Sequence, residues 1–225
     1  MLVLAAAGVA GLRALTNRYD RSVSKEQLLD PTARQDRTRV SGPLNYLVVG
    51  SDRRSPAPSA NERSDTIMIV HVPAGRDRAY LLSIPRDLYV AIPAAQRSGY
   101  PGGHDKINAA FGHGGGGQAG TRLLSATLSQ LTGVKFDGAA LVDFSGFQQV
   151  IDLLGGVRLC VDSPVRSIHT GRQFTPGCRP MSGAEALDYV RQRYGLPDGD
   201  YDRQRHQQQL LRAIMDRATQ TDLVN

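Results

Sequence analysis

The sequence predicts an α/β protein: an αβα sandwich with a central mixed β-sheet flanked by helices. Short apolar runs of strand length, at 44–49, 66–72 and 79–84, end in charged or Gly/Pro-rich loops. Stretches with apolar residues at helical spacing alternate with strands, at 118–132, at 145–154 and from Asp202 onward. The 225 residues are 40% hydrophobic, which suits one domain with a real core, and a strand–helix alternation buries its sheet between helical layers.

Residues 1–15 read MLVLAAAGVAGLRAL, with no charge before Arg13. That is roughly half of the ~20 apolar residues a bilayer span needs, so we read it as the outer half of a membrane anchor that begins upstream. Residues 16–42 are polar and mixed, a juxtamembrane linker closed by Gly42-Pro43; the domain follows over 43–219, and 220–225 form a tail. The strand 44–49 breaks into Gly50-Ser51-Asp52-Arg53. Arg63-Ser64-Asp65 leads into strand 66–72, which a short turn joins to strand 79–84 as a hairpin ending at Pro85-Arg86-Asp87. Residues 88–108 look irregular. The glycine-rich 112–117 lacks the Lys-Ser/Thr ending of a phosphate-binding P-loop and no strand runs into it, so it leads only to helix 118–132, whose apolar face is Leu123, Leu124, Leu128 and Leu131. After strand 138–142, Ser145 is the expected cap of a helix holding Phe147, Val150, Ile151 and Leu154; Gly155-Gly156 ends it and 157–161 returns as a strand. Residues 163–180, with Pro164, Pro176, Gly177 and Pro180, read as a long loop.

Ser182-Gly183-Ala184-Glu185 fits a capping box and opens a short helix that delivers Arg191 and Arg193. Residues 195–199 (GLPDG) force a turn, and Asp202 is a plausible N-cap of the last helix. Its apolar stripe of Leu210, Leu211, Ile214, Met215 and Ala218 runs back through Gln207 to Arg203, with Arg205 opposite and His206 on the flank. A guanidinium on the buried side of a helix start makes an anion site on which Arg191, Arg193 and Arg203 can converge. The net charge of +6 calls for an anionic partner, while the lack of zinc spacing, an RNA-binding sheet signature, a lysine-rich arm or tryptophan excludes nucleic acid. Cys160 and Cys178 have no His or Cys neighbours in a zinc pattern; in an exported domain the better reading is a disulfide. Asp52 and Asp65, set at strand ends among arginines, suit a divalent cation holding a phosphate whose other oxygens arginine holds.

Six segments then carry a resemblance: LNYLVVGSDR (44–53), RSDT (63–66), SIPRD (83–87), KINAAF (106–111), VDFSG with DLLGGV (142–157), and LDYVRQR with DRQRHQQ (187–208). Together and in this order they resemble the LytR-CpsA-Psr proteins. The resemblance implies a membrane-anchored domain on the extracellular side of the cell membrane. It would transfer a phosphoglycosyl polymer from a polyprenyl-pyrophosphate donor to peptidoglycan. It implies Mg²⁺ at Asp52 and Asp65, pyrophosphate binding by Arg63, Arg86, Arg191, Arg193, Arg203 and Gln207, and a further contact from Lys106. Asp52, Asp65 and Arg86 are assigned to the catalytic centre. Family members often have Arg-Gln-Gln where this chain has His206-Gln207-Gln208, which leaves one fewer cation near the site. The apolar faces of helices 118–132 and 145–154 are candidate walls for the polyprenyl tail. A pyrophosphatase, with water as acceptor, and a non-catalytic lipid- or polymer-binding module are the alternatives.

Overall fold

A computed structural model describes residues 26–36, 42–51, 63–75 and 77–220. In chain order its elements are β1 (Leu44–Ser51), β2 (Ser64–Val72), β3 (Tyr80–Ser83), β4 (Tyr89–Ile92), β5 (Gly103–Lys106), α1 (Ala109–His113), α2 (Gly117–Thr132), β6 (Gly138–Val142), α3 (Phe144–Leu153), β7 (Val157–Val161), β8 (Val165–Arg166), β9 (Gln173–Phe174), β10 (Gly177–Met181), α4 (Gly183–Val190) and α5 (Asp200–Gln220). The central sheet has the order β3-β2-β1-β6; the first three strands are antiparallel neighbours and β6 joins β1 in parallel, so the sheet is mixed as expected.

The period of two along each strand decides where the core and the site lie. Leu47, Val49, Ile67 and Ile69 pack beneath the sheet with Leu123, Leu124 and Leu128 of α2. Their neighbours Val48, Thr66, Met68, Ala140 and Val142 line a cavity on the opposite face. A second core, built from Ile151, Leu159, Tyr189, Val190 and Leu210, holds α3, α4, α5 and the β7–β10 pair together beyond that cavity. Helices therefore cover both faces of the sheet, but on one face they enclose a space instead of filling it.

Several sequence expectations need correction. Residues 88–108 contain the β4–β5 hairpin, whose Val90 and Ile92 point into the core; its four-residue strands are too short to show a period. The 163–180 loop holds the small β8–β9 pair and β10. The cap of α3 is Asp143, which accepts from the Gly146 amide at 2.8 Å, not Ser145. Leu131 and Met215 lie off the buried stripes and are exposed. Residues 26–36, expected within a linker, are docked: Leu29 and Ala33 are buried in the first core, and the Asp30 amide donates to Ser125 Oγ at 3.0 Å. No helix among the described residues is long and apolar enough to cross a membrane; the anchor read at 1–15 lies outside those residues.

Cys160 and Cys178 face each other across the β7–β10 ladder and are joined as a disulfide. The bridge steadies the strand that runs straight into Ser182, the cap of α4. Thiol labelling of the unfolded, unreduced protein is expected to find no free cysteine; two labelled thiols per chain would exclude the bridge.

Candidate functional site

Two helix ends bring the arginines together. The capping box at the start of α4 forms as expected, with Ser182 Oγ accepting from the Glu185 amide and Glu185 Oε2 from the Ser182 amide. Gly183 presses on α3: its amide donates to Asp152 Oδ1 at 2.7 Å, and a Cβ there would stand 2.4 Å from the Gln148 carbonyl oxygen. With α4 fixed against α3, Arg191 at its C-terminal end lies 4.1 Å over the Phe144 ring. A cation is favoured there by both the helix terminus and the ring face.

The helix α5 begins at Asp200, two residues earlier than expected. Asp202 is not its cap; its carboxylate accepts from the Asp198 amide at 2.8 Å and pairs with Arg205. Arg205 is 62% exposed and Arg203 only 4%, as the stripe required. Arg203 donates to the Asp65 carbonyl at 3.1 Å and pairs with Asp200 at 2.8 Å. Arg86 is bonded to the Asp65 carboxylate, and its Nε lies 3.5 Å from both Asp87 and Asp200. Lys106 pairs with Asp87 at 2.7 Å. The Nε atoms of Arg86 and Arg203 are shielded from water yet make no hydrogen bond. Unmatched buried donors of this kind carry a desolvation cost that a bound acceptor would remove.

The electrostatics agree. Burial works against the Arg86 charge, but Asp65, Asp200 and Asp87 outweigh it and raise its pKa. Burial lowers that of Arg203; Asp200 and Asp65 offset part of this, while Arg86 and Arg193 add to it. An anion beside Arg203 would therefore be stabilised by a cation that its own protein partners do not fully balance.

The cavity above the sheet has a volume of about 360 Å³ and is mostly apolar, walled by Met68, Phe144, Phe147, Leu187, Leu211 and Ile214 among others. Asp65, Arg191, Arg193, Arg203 and Gln207 line it too, so its charged residues and its apolar wall share one space. At that end a β-bulge separates Gly50 from Ser51, and Gly50 is needed because a Cβ would come within 2.9 Å of Thr66 Cβ. Arg63 and Lys106 do not line the cavity, and Arg86 reaches it only through Asp65. Asp52 lies outside the described residues. Of the two helices expected to wall a lipid groove, α3 does so; α2 is buried on the other side of the sheet. A larger, more polar cleft of about 720 Å³ lies between α2 and the 93–98 loop and holds none of the predicted site residues.

Sequence reasoning missed Asp200, although its i,i+3 spacing to Arg203 was a legible signal. It also missed Phe144 under Arg191 and His169 in the cavity lining, the latter in a stretch with no period to read.

His206 is buried and does not line the cavity; it stacks on Tyr189 with ring centroids 4.4 Å apart. The cation absent at this position is thus absent from the second core, not from the cavity wall. Burial holds the imidazole pKa below its ordinary value, with Asp162 and Asp202 offsetting part of the shift. The unfolded chain takes up a proton near pH ~6.5 while the folded one resists, so stability is lost as pH falls below that value. Between pH 7.5 and 5.5, wild type is expected to lose more of its urea midpoint than His206→Gln; equal losses would refute the assignment.

A profile of the LytR_cpsA_psr family matches residues 12–225. The chain is 34% identical over 208 residues to the "Probable cell wall biosynthesis protein LcpB" of Corynebacterium glutamicum, covering 87% of this chain and 47% of that protein. It spans a little under half the length of the curated relatives it matches. The crystal structure of Bacillus subtilis TagT matches with a TM-score of 0.67 at 27% identity, over 87% of this chain and 74% of that one. The LytR-CPS2A-psr family protein YwtF (TagT) with bound octaprenyl pyrophosphate lipid matches with a TM-score of 0.64 at 25% identity, over 86% and 72%. The fold expected of a LytR-CpsA-Psr domain is the fold observed, and with the profile running from residue 12 to the last residue, the chain belongs to the LytR_cpsA_psr family.

Proposed function

We propose that this domain transfers a phosphoglycosyl polymer from a polyprenyl-pyrophosphate carrier to peptidoglycan during cell-wall assembly. The observation that carries the reading is one cavity joining a mostly apolar wall to Arg191, Arg193, Arg203 and Asp65. Such a space fits an amphiphile with an apolar tail and a multiply charged anionic head. The reading is supported by a structural relative that holds octaprenyl pyrophosphate and by relatives named for cell-wall biosynthesis.

The tail would lie along α3 and the sheet, and the pyrophosphate against the arginines. Their planar forks hold phosphate oxygens in fixed directions, so catalysis is mainly positioning and electrostatics. Arg203 presents an unmatched Nε donor and is paired with Asp200, while Arg86, behind Asp65, is bonded to the Asp65 carboxylate. Gln207 adds an amide one turn along α5 from Arg203.

Among the described residues no three His, Cys, Asp or Glu side chains are grouped to hold a metal. Mg²⁺ does not demand that: it takes one or two carboxylates and completes its shell with water and substrate phosphate. The partly exposed Asp65 carboxylate fits this role, with Asp52 as the second ligand the sequence assigns. Bound there, Mg²⁺ would neutralise charge on the donor phosphates. We place the domain outside the cell, tethered to the membrane that holds the lipid donor.

The test is incubation of the purified chain with a synthetic polyprenyl-pyrophosphate glycan, Mg²⁺ and peptidoglycan fragments. A phosphodiester-linked glycan–peptidoglycan product, identified by mass spectrometry, is expected. Release of free glycan phosphate alone would assign a pyrophosphatase, and donor binding without turnover a binding module.

A further inference from the structure

A sugar hydroxyl that attacks phosphorus must give up a proton, and among the described residues the carboxylates near the cavity already have partners: Asp143 caps α3 through the Gly146 amide. The arginines are cationic, Asp65 is engaged by Arg86, and Asp200 pairs with Arg203. Among the described residues that line the cavity, the one histidine is His169. It sits on the loop between β8 and β9, which is tied to the end of α4 by a buried polar network. Asp188 accepts from Ser167 Oγ, Thr170 Oγ1 and Gln192 Nε2. Gln192, fully buried, also takes the Ile168 amide at 3.4 Å, and Ser167 Oγ takes the His169 amide at 3.0 Å. Gln192 lies between Arg191 and Arg193 in the chain, so the same short segment that supplies two arginines to the cavity lining also holds the His169 loop. Asp188, Ser167 and Gln192 are all buried, while His169 itself is exposed. A rigid buried support beneath an accessible imidazole is the arrangement a positioned general base requires.

We propose that His169 is the general base of the transfer, with Asp188 and Gln192 as the residues that position it. This rests on the transferase reading above. The acceptor oxygen forms a bond to the phosphorus that carries the glycan. The anhydride P–O bond breaks, and its electron pair leaves on the polyprenyl phosphate. The hydroxyl proton passes to a neutral imidazole nitrogen of His169, which becomes imidazolium. The charged groups that share the lining are Asp65, Asp143, Arg191, Arg193 and Arg203. The base must be unprotonated, so kcat/KM rises with pH through the pKa of His169 and then levels.

The experiment measures transfer to peptidoglycan fragments against pH for wild type, His169→Ala and Asp188→Asn. His169→Ala is expected to lose about 10²- to 10⁴-fold, the usual worth of a general base, to lose the acidic limb of the profile, and to regain rate with added imidazole. Asp188→Asn is expected to lower kcat and keep the limb. In parallel, NMR titration of His169 with and without inorganic pyrophosphate should show its pKa raised by the bound anion. A wild type that transfers while His169→Ala matches it in rate and limb overturns the proposal, as does a His169 pKa indifferent to pyrophosphate. A wild type that transfers nothing sinks the transferase reading itself, and the base with it.

Discussion

Asp65→Asn is expected to lower glycan transfer by about 100-fold or more at limiting Mg²⁺, the scale seen when one electrostatic contact to a transition state is removed. Asparagine keeps the shape of the side chain and loses its charge. The carboxylate is about one third exposed and bonded to Arg86, so folding should survive with a loss of at most about 1 kcal/mol. Two routes to the kinetic loss can be told apart. If Asp65 holds the metal, raising Mg²⁺ should recover part of the rate. If it acts only by holding Arg86, excess Mg²⁺ should recover nothing and Arg86→Lys should be similarly impaired. Asp52→Asn, run beside it, should share the Mg²⁺ dependence. Wild-type turnover at limiting Mg²⁺ in either variant would remove that residue from the metal site.

Arg203→Lys should fold and lose donor affinity by about 10- to 150-fold, which corresponds to the roughly 1.5–3 kcal/mol typical of a hydrogen bond to a charged group. The side chain is 4% exposed and does pair with a carboxylate, Asp200, as a purely structural arginine would. A lysine ammonium can replace that ion pair. It cannot also reach the Asp65 carbonyl and present a third donor, because it is a point charge without the planar fork. The unmatched Nε of Arg203 is the donor left for the pyrophosphate. Arg205→Lys is the control: at 62% exposed and outside the cavity lining, it should bind donor like wild type. Its pairing with the buried Asp202 means that its melting temperature, not its affinity, is the quantity that could fall. Donor affinity by calorimetry and melting temperature on both variants decide the matter. Equal damage to binding in the two would move the anion site away from the start of α5.

The β2–β3 hairpin, the α4 capping box and the inward turn of Arg203 were all legible in the sequence. Each depends on periodicity or on spacing within a few residues, which the local backbone geometry enforces. The short β4–β5 hairpin was not, because four residues show no period and its partner lies across a long loop. Asp143 displaced Ser145 as a cap because an aspartate two residues earlier could reach the Gly146 amide first in the chain.

The sequence by itself determined which helix faces are apolar and which charges lie at strand and helix ends. Only the tertiary structure decided what each face meets. Leu123, Leu124 and Leu128 fill a core, whereas Leu211 and Ile214 line a cavity, although both sets are apolar residues at helical spacing. Periodicity records that a surface avoids water, not whether protein atoms or a ligand's tail will cover it. The convergence of Asp65, Arg86, Asp200 and Arg203 is equally tertiary, since Asp65 and Arg203 come from the two ends of the domain and meet only because α5 packs back toward the start of β2.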